Sequence, residues 1–179
     1  MDIETISSEG VMTPYCIYIS DGNTAWSYYL SDYNDSNLMI KHALSFLLIR
    51  KYKNHKVYVH NLSSFDSVFL LRIFNNMENV NTRLIQNNGK LINLNINYDN
   101  KYTLSLRDSL LLLPSPLAKL SNSFNTNTQY KDILPIIFLN NVEHNYVGSV
   151  PDFKYFKGIN LEEYLNYKES FNSWSLKEF

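Results

Sequence analysis

Apolar residues in the first third of the chain gather in short β-rich segments before taking a helical spacing, which predicts three strands and a helix. Asp2–Ile6 is a short β-like start, and Tyr15–Ser20 and Thr24–Leu30 are β-rich segments. Asp21-Gly22-Asn23 between the last two predicts a hairpin turn. The spacing then lengthens. Asp35 or Ser36 can cap a helix running to about Lys53, with Ile40, Ala43, Leu44, Leu47 and Leu48 on one face. Lys56–His60 reads as another strand, and a second helix, roughly Asp66–Asn75, carries Val68, Phe69, Leu71 and Ile73. Alternation is cleanest at Ile92, Leu94, Ile96 and Tyr98, interleaved with Asn93, Asn95 and Asn97. It resumes at Tyr102, Leu104 and Leu106 beyond an Asp99-Asn100 turn. The Asn face of this hairpin is expected to meet solvent or nucleic acid and not core.

The pattern weakens towards the C-terminus. Leu110–Phe124 reads as helical after Pro116, with Leu117, Leu120 and Phe124 on one stripe. Tyr146–Phe156 reads as ordered loop docked by large rings, followed by short helical pieces at Leu161–Tyr167 and Trp174–Phe179. No repeat, low-complexity tract or linker interrupts the 179 residues, so one α/β domain is expected, a mixed sheet with helices added after the third strand.

Composition narrows the function classes. Net charge is −1, which argues against gripping duplex DNA chiefly through its phosphates, a mode that calls for a strongly basic surface. The basic run Arg50, Lys51, Lys53 and Lys56 is better explained as a solvated helix end than as a DNA contact. One cysteine, Cys16, leaves no disulfide framework and no Cys-rich zinc site, and suits a reducing compartment. The longest apolar runs, Leu44–Ile49 and Leu110–Leu113, fall far short of the ~20 residues of a membrane span, so no membrane partner is expected. No import or secretion signal is visible at the Met-Asp-Ile-Glu start. The abundance of Asn, Tyr, Ile and Lys reflects A/T-rich codons and suggests an organellar or plasmid gene.

Two segments could carry chemistry. Asp2 and Glu4 are separated by one residue on a strand, so both side chains share a face. Paired carboxylates repel unless a cation sits between them, and oxygen donors suit a hard divalent ion; surface acidic pairs are also common. Asn61 and Asp66 flank the start of the second helix, where the helix dipole favours a carboxylate. Asp66 and Ser67 serve equally well as simple helix caps. Three carboxylates and an amide around one sheet edge would meet the needs of two-metal phosphodiester hydrolysis.

Asp2-x-Glu4 followed by Asn61-x-x-x-Phe65-Asp66 resembles the first two motifs of the 3′–5′ exonuclease domain of family B DNA polymerases. The protein-primed branch carried by linear mitochondrial plasmids, organelles and some viruses is the nearer likeness. Val57–Leu71, Asn87–Ile92, Asp108–Pro114, Lys119–Phe124 and Asn145–Asp152 follow that branch's wording in order, so the similarity covers essentially the whole chain. It implies an RNase H-like mixed sheet flanked by helices, with an added β-hairpin and aromatic-rich C-terminal loops. It also implies two Mg²⁺ or Mn²⁺ ions and a mitochondrial setting.

By position, Asp2 would bridge both ions, Glu4 would ligate one, and Asp66 would hold the other. Asn61 and Phe65 would position a frayed 3′ terminus. Ser109 and Leu110 match a motif for single-stranded DNA and terminal-protein contact. Lys131 resembles a lysine that assists the exonuclease, although the family's usual glycine beside it is Asp132 here. Helix capping for Ser109 and a solvated charge for Lys131 stay open as plain alternatives.

The third motif of the family, a Tyr followed four residues later by Asp, is expected shortly after a segment like Trp174-Ser175-Leu176-Lys177-Glu178. The sequence reaches Phe179 first, so the expectation is a domain truncated before that motif. It would have little or no nuclease activity alone and no polymerase activity, the remaining polymerase portion being a partner. Two rival readings stand beside this one. A non-catalytic module could keep the scaffold to bind single-stranded nucleic acid or protein. A free-standing nuclease would need a fourth acid from Glu162, Glu163, Glu169 or Glu178, none of which has the Tyr-x-x-x-Asp context.

Overall fold

The computed structural model describes residues 1–8, 10–124, 149–156 and 159–175. The chain divides into two compact units, Met1–Thr126 and Asn127–Phe179.

In the first unit, β1 (Asp2–Ser8), β2 (Val11–Ser20) and β3 (Ala25–Tyr29) form an antiparallel sheet in chain order. The β2–β3 turn closes as its sequence suggests: the Asp21 carboxylate accepts from the backbone N–H groups of Asn23 (3.1 Å) and Thr24 (2.9 Å). A second sheet has the order β4 (Lys56–Val59), β7 (Tyr102–Asp108), β6 (Lys90–Tyr98), β5 (Val80–Asn87). In it β4 runs parallel to β7 and the remaining pairs are antiparallel. The Met1 amino group donates to the Tyr58 carbonyl at 3.0 Å, which sets the start of β1 beside β4.

Helices α1 (Ser36–Leu47) and α2 (Asp66–Phe74) share one core with both sheets. Ile17 and Ile19 from the first sheet join Met39, Ala43 and Leu44 of α1, Leu70 and Phe74 of α2, and Leu94, Ile96, Leu104 and Leu106 of the second sheet. Asp35 caps α1, its carboxylate accepting from Leu38 N–H at 2.9 Å.

The helix is shorter than its apolar pattern predicts and stops at Leu47, not near Lys53. Leu47, Leu48 and Ile49 are a continuous apolar run that one helix face cannot bury. The backbone therefore turns, and a 3₁₀ turn at Arg50–Tyr52 lays Tyr52 in the core against Phe46. Within the basic run, Lys51 lies 3.6 Å from Asp21 and over the Tyr52 ring.

Strand β5 is not visible in the hydrophobic pattern. It is an edge strand, mostly exposed on both faces, held to β6 by backbone pairing across the Asn88-Gly89 turn, where both residues have positive φ. Two expectations for β6 are corrected. Gln86 pairs with Leu91 and Ile85 with Asn93, so Ile92 is the extra residue of a bulge and leaves the apolar face, while Leu91 is buried instead. Nor is the Asn face wholly solvated: Asn93 is buried and donates to Asn95 at 2.9 Å.

Helix α3 (Leu117–Ser123) starts after Pro116 as expected, but Leu117 and Phe124 are exposed. In the second unit the expected Leu161–Tyr167 piece belongs to a longer helix, α4 (Leu161–Ser175), which takes in Trp174 and Ser175; the rest of the expected Trp174–Phe179 piece lies outside the described residues. Asn160 and Glu163 cap it reciprocally, backbone N–H to side chain at 2.9 Å in each direction. Aromatic docking is borne out there: Phe153 and Phe156 pack on Tyr164, whose hydroxyl donates to the Pro151 carbonyl. Among the described residues, no helix is long and apolar enough to cross a membrane.

Candidate metal and nucleic-acid site

β1 presents its residues alternately. Ile3 enters the core, so Asp2 and Glu4 occupy the other face, opposite Tyr18 and Cys16 of β2. Burial, together with the charges of Glu4 and Asp2, pushes the Cys16 thiol up to about 11. Both carboxylates therefore act on one spot of the sheet.

The segment after β4 delivers the third acid. Asn61 takes a left-handed conformation (φ 65°), Leu62 anchors the turn in the core, and Asp66 opens α2. Its side chain is only 2% exposed. Burial, and then the negative charge of Asp2, raise its pKa to about 7, against the backbone N–H groups of Asp66 and Ile3 and the Met1 ammonium, which favour ionisation. The Met1 amino group is lowered by burial, with Asp2 and Asp66 opposing. Asp2, Asp66 and the chain's amino end thus converge electrostatically where β1 begins and α2 starts.

Asp66 Oδ1 is buried without a hydrogen-bond partner. An orphaned carboxylate oxygen facing the field of a second carboxylate fits a hard cation, which would satisfy the oxygen and cancel the repulsion. Among the described residues, however, no three His, Cys, Asp or Glu side chains gather closely enough to enclose an ion. Asp2 and Asp66 are the two carboxylates that influence each other here, and Glu4 is exposed further along β1.

The other sequence candidates are placed as follows. Phe65 is half-buried, edge-on to Phe69 with ring centroids 5.7 Å apart. Ser109 and Leu110 follow β7 directly; Ser109 Oγ lies 3.1 Å from His60 Nδ1, and Leu110 N–H donates to Asp108 at 2.9 Å. Parallel pairing of Val59 with Asp108 brings these residues beside Asn61. Lys131 lies outside the described residues, as does the stretch 145–148. Asp108 is the residue that the sequence reading passed over. Its signal was present: it continues the core-facing positions of Leu104 and Leu106, where a carboxylate needs a reason.

A family model described as DNA polymerase type B, organellar and viral, matches residues 47–178. A probable DNA polymerase of Neurospora intermedia is 35% identical over 95% of this chain and 19% of its own length. One of Ascobolus immersus is 30% identical over 97% of the chain and 15% of its own length. The chain thus spans less than a fifth of these relatives. Among solved structures, Phi29 DNA polymerase complexed with primer-template DNA and incoming nucleotide substrates superposes with a TM-score of 0.53, at 18% identity, over 93% of this chain and 27% of that one. That likeness carries the fold, an α/β arrangement of the RNase H-like kind.

Proposed function

The chain belongs to the type B DNA polymerases of the organellar and viral type, and from that premise we propose that it is the 3′–5′ exonuclease portion of such an enzyme. The observation that carries this reading is the buried, unpartnered Asp66 oxygen beside a second carboxylate, Asp2. These two residues, with Glu4 as a further oxygen donor on the same strand, would hold Mg²⁺ or Mn²⁺. A bound divalent ion would supply acidification of the attacking water and charge stabilisation of the leaving 3′ oxygen.

The chain's own residues do the rest. Asp66 must be ionised to bind a cation, and a pKa near neutrality makes that sensitive to pH. Asn61 and Phe65, at the carboxyl edge of β4, would hold an unpaired 3′ terminus, the amide by hydrogen bonding and the ring by stacking. Ser109 and Leu110 extend that edge and would meet single-stranded DNA or a terminal protein. Lys131, by its likeness to the family's lysine, would assist the exonuclease reaction. The Phi29 enzyme is seen with primer-template DNA, which supports DNA as the substrate class. The remaining polymerase portion is a further partner, and an A/T-rich organellar or plasmid gene points to mitochondria.

The absence of a three-carboxylate cluster among the described residues favours one alternative, a non-catalytic module that binds single-stranded DNA without an ion. Fluorescence anisotropy with a labelled single-stranded oligonucleotide separates the two. Under the exonuclease reading, Mn²⁺ tightens binding about 10-fold, and Asp66→Ala removes that gain. Binding that ignores Mn²⁺ would favour the module.

A further inference from the structure

Asp108 ends β7 at a core-facing position and is only 3% exposed. A carboxylate buried there is costly unless its oxygens are satisfied. They are. Oδ1 accepts from Asn61 N–H at 3.0 Å and Leu110 N–H at 2.9 Å, and Oδ2 accepts from Ser63 N–H at 3.0 Å. The bond to Leu110 is an ordinary cap of the turn that follows Asp108. The other two cross to a different segment, the turn between β4 and α2.

Within that turn Asn61 sits at φ 65°, a left-handed conformation that asparagine adopts more readily than most residues. Two more bonds pin the same turn: Ser63 Oγ accepts from Leu91 N–H at 2.9 Å, and His60 pairs with Ser109. Asp108 is the hub, because among the described residues its carboxylate grips the turn on both sides of Leu62.

We propose that Asp108 is a positioning residue, a buried carboxylate clamp that fixes the Asn61–Ser63 turn so that Asn61 and Phe65 are presented to an unpaired 3′ end. The proposal rests on the exonuclease reading, and its mode of action is indirect. Asp108 touches neither ion nor DNA and works through the backbone of Asn61 and Ser63.

Asp108→Asn keeps the size and one carbonyl acceptor but turns the other position into a donor facing an N–H group. The expected result is an approximately 10-fold loss of affinity for a labelled single-stranded oligonucleotide in Mn²⁺, with Mn²⁺ affinity by calorimetry unchanged within about 2-fold. A double-mutant cycle distinguishes positioning from general destabilisation. Asn61→Ala should weaken DNA binding, and adding Asp108→Asn should cost little more, since both act on one contact. Full additivity, or unchanged DNA affinity in Asp108→Asn, overturns the proposal while leaving the exonuclease reading standing. A wild-type chain that binds neither Mn²⁺ nor the oligonucleotide overturns both. Should Asp108→Asn fail to fold, wild-type amide exchange decides. Joint protection of the Asn61, Ser63 and Leu110 amides close to the global level supports the clamp, and exchange at loop rates refutes it.

Discussion

Asp66→Asn is expected to make the metal-free chain more stable, not less, at pH 8. The unfolded carboxyl titrates near 3.8 and the folded one at about 7, so folding takes up a proton between those values. Stability is greatest below the unfolded pKa and falls as pH rises to the folded one, because the unfolded state binds fewer protons in that window. At about 1.36 kcal/mol per unit, the cost above pH 7 reaches up to about 4 kcal/mol. Asparagine keeps an oxygen for the N–H groups of Ile3 and its own backbone but carries no charge to bury. The lowered Met1 ammonium acts in the opposite sense, adding stability as pH rises towards 8.0, and more so in Asp66→Asn, which lacks the Asp66 charge that opposes the lowering. Thermal unfolding in chelator should show a variant that melts roughly 10 °C higher at pH 8 and converges with wild type near pH 4. Adding Mn²⁺ should raise the wild-type midpoint and leave the variant unmoved. A variant that melts lower at pH 8 would mean that Asp66 is stabilising as an anion, and the strained-carboxylate account would fail.

The second large effect concerns rate. Two convergent carboxylates with no third close ligand among the described residues make an underbuilt hydrolytic centre, and loss of one preorganised electrostatic group costs about 10²–10³-fold. The 179-residue chain should therefore release mononucleotides from short single-stranded DNA in Mn²⁺ at least about 100-fold more slowly than a full-length relative. Asp2→Ala and Asp66→Ala should each abolish what remains. Rapid release by the wild-type chain, abolished by Asp2→Ala, would show that these residues already form a complete centre.

Residue by residue, the legible parts of this fold are those where local pattern and tertiary burial agree. Leu94, Ile96, Leu104 and Leu106 alternate in sequence and are fully buried in the structure. Asp35 reads as a cap and is one. Strand β5 has no apolar period because an exposed edge strand needs none, and the Asn88-Gly89 turn is its local mark. Ile92 falls out of the predicted alternation because a bulge shifts phase by one residue, and no local rule announces where a sheet will absorb an extra one. α1 is shorter than its apolar pattern predicts because Leu48 and Ile49 continue that pattern where the chain must instead turn to bury Tyr52.

The site divides in the same way. Asp2, Glu4 and Asp66 stand out by residue type, spacing and helix position, and the structure brings the fields of Asp2 and Asp66 together. Asp108 shows in the sequence only as a carboxylate at a core-facing position; its role lies in bonds to Asn61 and Ser63, 47 and 45 residues away, which the parallel β4–β7 pairing creates.

On the exonuclease reading, Asp2 and Asp66 together seat a divalent cation. Diffraction from crystals grown with Mn²⁺, recorded at the manganese edge, tests it without recourse to activity. The expected result is an anomalous peak bonded to Asp66 Oδ1 and to a carboxylate oxygen of Asp2. Saturating Mn²⁺ with no peak between these two side chains, or with Asp66 turned into the apolar core and Asp2 far from it, would contradict the claim.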